Sequence, residues 1–85
     1  MELANKRIWV VGASFGIGEA LAVQLVEAGA KVILSARSEE KIAALASTLG
    51  EGAQSVVCDV TDGASVVRAY QKAAATFGGV DMVIY

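Results

Sequence analysis

The chain contains no proline and no histidine, and Cys58 is its single cysteine. Without histidine, a histidine metal site and Ser–His catalysis are both excluded within these 85 residues. A lone cysteine forms no internal disulfide, so we expect a reducing, cytoplasmic setting. Because proline is absent, the turns must be made by Gly, Asp, Ser and Thr, and nine glycines are available.

Charge and long apolar runs are also scarce. Charged residues make up 19% of the chain, hydrophobic residues 55%, and the net charge is −2. This composition excludes a disordered tail and argues against a nucleic-acid module, which would carry a basic patch. No apolar run reaches the roughly 20 residues that span a bilayer, and residues 1–5 do not resemble a signal peptide. We therefore expect neither a nucleic-acid partner nor a membrane partner.

Short β-branched runs alternate with longer helical patterns along the chain. Residues 8–11 predict a buried parallel strand, and further strands are predicted at 31–35, 54–58 and 80–85. The first helix is expected to end at Gly29 and to bury one face, made of Ile17, Ala20, Leu21, Leu25 and Ala28. We also expect Trp9 and Tyr70 to be core residues.

Two more helices are predicted from their end signals and apolar spacing. Ser38 is a predicted N-cap with acids in the following turn, and Gly50 stops that helix. Residues 59–62 form a capping turn before the third helix, which ends at residues 78–79. The face of the third helix is predicted to contain Val66, Tyr70, Ala74 and Phe77.

The resulting order, β-α-β-α-β-α-β, predicts an α/β fold with a doubly wound parallel sheet and right-handed crossovers. We expect residues 1–85 to be the N-terminal part of a single domain, truncated after the fourth strand. The reason is that residues 81–85 would otherwise leave an apolar, unprotected sheet edge. The alternative is a small complete domain closed by pairing with another chain.

The strongest chemical signal is a glycine loop between the first strand and the first helix. Gly12, Gly16 and Gly18 have the spacing G-x-x-x-G-x-G. Glycine lets the backbone approach a pyrophosphate at a helix N-terminus, where unpaired N–H groups bind anions. A P-loop is excluded because no Gly-Lys-Ser/Thr follows. The alternative is a tight turn that binds no ligand.

The loop V-G-A-S-F-G-I-G at residues 11–18 resembles the T-G-A-S-x-G-I-G loop of the short-chain dehydrogenase/reductase family. Residues 58–61 are similar to the segment of that family containing D-V-T, and residues 80–85 resemble the strand before its N-N-A-G motif. Two positions depart from the pattern. Val11 stands where the family usually has Thr, and Tyr85 stands where the first Asn is common.

This resemblance implies the N-terminal part of a Rossmann fold that binds a nicotinamide cofactor. The loop residues expected to contact the cofactor are Gly12, Ser14, Phe15, Gly16, Ile17 and Gly18. The full-length protein would be an oxidoreductase that transfers hydride between the cofactor and a small carbonyl or alcohol substrate. It would also form a homo-oligomer, a dimer or tetramer. The alternative is a non-catalytic sensor or partner module of the same fold.

The residue that ends the second strand of a dinucleotide fold reads the adenosine ribose. Here Ala36 replaces the acid that would bond the 2′-hydroxyl of NAD, and Arg37 provides a fork suited to a 2′-phosphate. By resemblance this pattern implies NADP(H). The alternative is that Arg37 is a solvated charge paired with Glu40. A methyltransferase is disfavoured because such enzymes usually have an acid at this position.

The segment after the third strand is the other candidate contact. By resemblance, Asp59 and the backbone of Val60 would contact adenine, whereas the alternative is a turn aspartate that bonds nearby backbone groups. Cys58 is expected to be a small buried residue without an activated thiol. No catalytic residue is predicted, because the family's active-site Ser, Tyr and Lys would lie beyond residue 85, and Tyr70 has Ala74 rather than Lys four residues later.

Overall fold

The computed structural model describes residues 3–12 and 16–85. Within them the elements are β1 (Arg7–Val11), α1 (Gly16–Glu27), β2 (Lys31–Ser35), α2 (Glu39–Leu49), β3 (Ala53–Ser55), α3 (Gly63–Thr76) and β4 (Met82–Ile84). All strand pairs are parallel, and the sheet order is β3-β2-β1-β4. The predicted α/β class with a doubly wound parallel sheet is confirmed.

Successive residues of the central strands point to opposite faces of the sheet, so they belong to two separate cores. Ile8 and Val10 pack with α1 and α2, through apolar side chains that include Ala22 and Ile42. Trp9, between them in β1, belongs to the other core together with alanines of α3. The helices therefore cover both faces, as the alternating sequence pattern predicts.

The helix-end signals act as predicted. The Ser38 side chain accepts a hydrogen bond from the backbone N–H of Lys41 at 3.4 Å, and Asp62 caps α3 by accepting from Ala64 N–H at 3.1 Å. Gly29 and Gly50 follow α1 and α2 with φ values of +91° and +89°. These features depend on neighbouring residues only, which is why sequence reasoning locates them well.

The third and fourth strands are shorter than the sequence predicts. The β3 strand spans 53–55 rather than 54–58, because its ladder with β2 ends at the Leu34–Ser55 pair. The β4 strand spans 82–84 rather than 80–85, because its ladder with β1 ends at the Val10–Ile84 pair. Apolar runs mark where a strand is possible, whereas the partner strand decides how much of the run is paired.

Two predicted helix faces also need correction. Ile17 is 87% exposed in the first turn of α1, and the buried residues of that helix are Ala22 and Leu25. In α3 the buried positions are Ala69 and Ala73. The predicted core residue Trp9 is 4% exposed, but Tyr70 is 50% exposed, with its ring centroid 6.0 Å from that of Trp9. Small alanines bring α3 close to Trp9, which leaves the larger tyrosine at the rim.

An ion pair at the amino-terminal edge of the sheet joins β1 to the residue before β4. Arg7 donates from its backbone N–H to Asp81 Oδ2 at 2.8 Å and from its guanidinium to Asp81 Oδ1 at 3.0 Å. Asp81 N–H in turn donates to the Arg7 carbonyl at 2.7 Å. The side-chain and backbone hydrogen bonds from Arg7 hold the pKa of Asp81 well below its usual range.

The replacement Asp81→Asn should lower the free energy of unfolding of the full-length protein at pH 7. A carboxyl whose pKa is depressed on folding stabilises the fold above its unfolded pKa, about 3.9, and this contribution is lost as pH falls through the lower folded value. The difference between the wild type and Asp81→Asn should therefore shrink below about pH 4. Urea unfolding at pH 7 and pH 3 measures it. Glu51→Gln, an exposed acid in a turn, is the control, and an equal effect from it would contradict the role of the Asp81 contacts.

Candidate functional site

A cleft of about 470 Å³ opens at the carboxyl edge of the sheet. In open α/β sheets this edge is where ligands bind, because the carboxyl ends of parallel strands and the helix N-termini meet there. Every strand contributes, either from its end or from the segment that follows it. The lining residues are Val11, Gly12, Ala36, Arg37, Ser38, Lys41, Cys58, Val60 and Tyr85.

Gly12 begins the glycine loop at the end of β1. Its N–H donates to the carbonyl of Ser35 at 2.7 Å, which ties the start of the loop to the end of β2. Gly12 has φ = +88° and Gly16 has φ = +64°, a conformation that side chains disfavour. Apart from its chain neighbours, a Cβ atom at either position would meet no heavy atom of residues 3–12 and 16–85 within 4 Å. The glycines thus leave open space in front of the backbone where a ligand could approach.

Basic side chains line the β2 side of the cleft. Ala36 is nearly buried, Arg37 is exposed, and Lys41 follows in the first turn of α2. Arg37 and Glu40 form no salt bridge, so the pairing in the alternative interpretation is not formed, whereas the exposure of Arg37 agrees with the solvated charge of that interpretation. Sequence analysis missed Lys41. The available signal was the Ser38 cap, because a residue three positions after an N-cap lies in the turn whose free N–H groups face the same edge.

Asp59 begins the turn between β3 and α3. Its Oδ1 accepts hydrogen bonds from the Thr61 N–H at 3.0 Å and the Thr61 hydroxyl at 2.7 Å, while its own N–H donates to Ser65 Oγ at 3.0 Å. These bonds from Thr61, with a smaller contribution from the charge of Arg37, lower the pKa of Asp59. Asp59 therefore makes the turn contacts of the alternative interpretation, and they use Oδ1 only. The next residue, Val60, is 44% exposed and lines the cleft.

Two other residues border the cleft. Cys58 is 2% exposed, and burial, together with the charge of Asp59, raises the pKa of its thiol. This agrees with the prediction of a small buried residue that lacks an activated thiol. Tyr85 is 86% exposed and lines the cleft from the β4 side. Sequence analysis noted it only as a departure from a motif.

Of the other predicted loop contacts, Gly16, Ile17 and Gly18 do not line the cleft. Ser14 and Phe15 fall outside the described residues. Gly16, Ile17 and Gly18 form the first turn of α1, next to the loop. Among residues 3–12 and 16–85, no three His, Cys, Asp or Glu side chains gather as they would around a metal ion. None of the helices described there has the length and apolar character needed to cross a membrane.

Comparison with known proteins places the chain in a family. A family profile described as short chain dehydrogenase matches residues 6–85. Because this match covers nearly the whole sequence, the chain belongs to the short-chain dehydrogenase family. The resemblance noted in the loop motifs is thereby confirmed, together with the Rossmann-type fold.

Individual relatives agree with this assignment. An uncharacterized oxidoreductase of Staphylococcus aureus (strain USA300) is 45% identical over 83 residues, which is 96% of this chain and 36% of the relative. The 3-oxoacyl-(acyl-carrier-protein) reductase FabG of Escherichia coli (strain K12) is 40% identical over 84 residues, covering 99% of this chain and 34% of FabG. This chain spans about a third of the length of these relatives.

One solved structure extends the comparison to the backbone. The crystal structure of 3-ketoacyl-(acyl-carrier-protein) reductase from Brucella melitensis, complexed with NADH, has a TM-score of 0.92 to this chain at 32% sequence identity. The likeness covers 95% of this chain and 33% of that protein.

Gly12→Val and Gly16→Val should each weaken the binding of NADPH to the full-length protein by at least about tenfold. A branched side chain fills the space that a dinucleotide would need, and it strains the backbone by about 1–3 kcal/mol. Calorimetric titration measures the affinity. Gly50→Val is a matched control, because Gly50 has φ = +89° and equally open space but follows the far end of α2. Unchanged affinity in folded Gly12→Val would mean that the loop is a structural turn.

Proposed function

We propose that the full-length protein is an NADP(H)-dependent oxidoreductase that transfers hydride between the cofactor and a carbonyl or alcohol substrate. Residues 1–85 would be the N-terminal part of its single cofactor-binding domain. The observation that carries the proposal is the cleft at the carboxyl edge, where Gly12, at the start of the glycine loop, and two basic side chains line one cavity. The nicotinamide ring supplies the hydride chemistry when bound, and the residues of this chain hold the other half of the molecule.

Two features of the glycine loop suit the pyrophosphate of a dinucleotide. Open space lies in front of the backbone at Gly12 and Gly16, and the N-terminus of α1 follows the loop, as a pyrophosphate site requires. We assign the pyrophosphate to the glycine loop, with Ser14, Phe15, Ile17 and Gly18 as the other loop contacts. Such an arrangement binds phosphate through backbone N–H groups, so it needs no charged side chain within the loop itself.

The preference for NADP(H) over NAD(H) rests on the end of β2. A carboxylate at position 36 would repel a 2′-phosphate, and Ala36 has none. Arg37 and Lys41 line the same cavity and bring two positive charges to it in a chain whose net charge is −2. The Brucella relative binds NADH in its crystal structure. The basic pair of this chain is nevertheless better suited to a ligand with an additional phosphate.

We assign the adenine to the segment after β3. Val60 lines the cleft, and Asp59 adjoins it with a carboxylate whose pKa is lowered by hydrogen bonds from Thr61. An ionised carboxylate accepts hydrogen bonds strongly, as the exocyclic amino group of adenine requires. The bonds from Thr61 also fix the orientation of the side chain, which would reduce the entropy lost when a ligand binds.

The substrate and the catalytic groups belong to the part of the enzyme beyond this chain, since the relatives are about three times as long. The relatives named as reductases of 3-oxoacyl groups support a carbonyl substrate. We further propose a cytoplasmic homo-oligomer, a dimer or tetramer, as the family resemblance implies. Neither nucleic acid nor membrane is proposed as a partner.

Arg37→Ala should weaken NADPH binding about ten- to a hundredfold and leave NADH binding nearly unchanged. A hydrogen bond to a charged group is worth roughly 1.5–3 kcal/mol, and the 2′-phosphate is present only in NADPH. Ala36→Asp should go further and favour NADH by offering its 2′-hydroxyl an acceptor. Dissociation constants for both cofactors with the wild type and both variants measure this preference. If wild-type protein binds NADH as tightly as NADPH, the assignment to NADP(H) is wrong.

Lys41→Ala should weaken NADPH binding by up to about fivefold, because an exposed ion pair contributes at most about 1 kcal/mol. Lys31→Ala is the matched control, since Lys31 begins β2 at the opposite edge of the sheet. Lys31→Ala also removes one positive charge from the protein, but it leaves the charges that line the cleft in place. Equal losses in the two variants would show that Lys41 acts only through net charge. Titrations at low and high salt would separate the two effects further.

A further inference from the structure

A buried hydroxyl group links three parts of the sheet directly beneath the cleft. Ser35 is 0% exposed, and within residues 3–12 and 16–85 it is the one polar residue that is buried. Its Oγ accepts a hydrogen bond from the Trp9 indole N–H at 2.7 Å and donates one to the Val56 carbonyl at 2.6 Å. A hydroxyl has one proton to donate, so this pair of partners defines its orientation.

The position of Ser35 connects it to the walls of the cleft. Its backbone carbonyl accepts from Gly12 N–H, at the start of the glycine loop. The following residues, Ala36 and Arg37, form the β2 wall. Its hydroxyl group is hydrogen-bonded to Val56, two residues before Cys58, and Cys58 belongs to the part of the cleft lining that follows β3. Ser35 therefore contacts Gly12 of the cleft lining, directly precedes Ala36 in it, and reaches the third part of the lining through Val56.

The bond to Val56 lies where the third strand leaves the sheet. The last paired residues of β2 and β3 are Leu34 and Ser55. Beyond them, two backbone hydrogen bonds still join the chain to the end of β2, from Val56 N–H to the Leu34 carbonyl and from Cys58 N–H to the Ala36 carbonyl. Between these two bonds, the Val56 carbonyl accepts from a side chain, the Ser35 hydroxyl, on the Trp9 side of the sheet. The hydroxyl thus adds a third hydrogen bond between the end of β2 and the segment that follows β3.

We propose that Ser35 is a positioning residue, whose hydroxyl sets the placement of residues 58–60 against the glycine loop and Arg37. The inference rests on the proposed function, because these residues would be the adenine side of the cofactor site. NADPH and NADH share their adenine, so loss of the hydroxyl should weaken both cofactors alike. This distinguishes Ser35 from Arg37, whose loss should affect NADPH only.

The sharpest test compares Ser35→Thr with Ser35→Val in the full-length protein. The two new side chains have nearly the same shape, and only threonine retains a hydroxyl group. Ser35→Val should bind both NADPH and NADH at least fivefold more weakly than Ser35→Thr, measured by calorimetric titration. Ser55→Ala, a change in the neighbouring strand at a half-buried position away from the cleft, should leave both affinities unchanged.

Trp9→Phe separates positioning from stability. It removes the indole N–H but leaves the bond between Ser35 and Val56, so cofactor affinity should stay within about twofold of the wild type while the melting temperature falls. A role of the network in stability alone would instead produce melting changes in Ser35→Val and Trp9→Phe with no loss of affinity in either.

A measurement on the wild-type protein does not depend on whether the variants fold. Coupling between two equilibria is reciprocal. If breaking the Ser35–Val56 hydrogen bond weakens cofactor binding fivefold, saturating NADPH must make the opening of that bond fivefold less favourable. Exchange of the Val56 amide proton, which is hydrogen-bonded to the Leu34 carbonyl beside the Ser35–Val56 contact, should therefore slow by at least fivefold when it is followed by NMR. The amides of β4, at the opposite edge of the sheet from β3, are the reference for any global effect.

The outcomes separate the inference from the proposed function. If the wild type binds NADPH but Ser35→Val and Ser35→Thr bind both cofactors equally well, the inference is overturned and the proposed function stands. A loss confined to NADPH, or Val56 amide exchange that slows no more than exchange of the β4 amides, also overturns it. If the wild type binds neither dinucleotide, the proposed function itself fails, and the inference fails with it.

Discussion

The position of β1 in the middle of the sheet is the constraint on which the rest of the structure depends. This strand is hydrogen-bonded to β2 on one side and β4 on the other, and its residues 8–10 are at most 4% exposed. A strand buried on both faces needs helices on both faces, which explains the two cores and the division of helices between them. Because every strand runs parallel to β1, all the carboxyl ends meet at one edge, and the cleft forms there.

Local chemistry explains which parts of the fold could be predicted from the sequence. The caps at Ser38 and Asp62 depend on a side chain and an amide two or three residues away, and both are formed as expected. The ends of β3 and β4 depend instead on where the neighbouring strand stops pairing. Likewise, Ile17 has the spacing of a buried residue, yet it lies in the first turn of α1, beyond the contacts that bury Ala22 and Leu25.

The same distinction applies to the candidate site. Gly12, Ala36 and Arg37 could be identified because the spacing between a strand end and a glycine loop is a property of one continuous segment, and all three line the cleft. Lys41 joins them only once the Ser38 cap has fixed the first turn of α2. The role of Ser35 required the whole sheet, since its two hydroxyl partners lie 26 and 21 residues away in sequence.

The tie between Arg7 and Asp81 has a consequence for how the protein is made. Its two ends are 74 residues apart, and the β1–β4 ladder closes over the same distance. At the roughly 5–20 residues per second of protein synthesis, about 4–15 seconds pass between the addition of the two residues. During that interval the β4-facing side of β1 is an open, apolar edge on the ribosome, exposed to wrong pairing with other nascent strands.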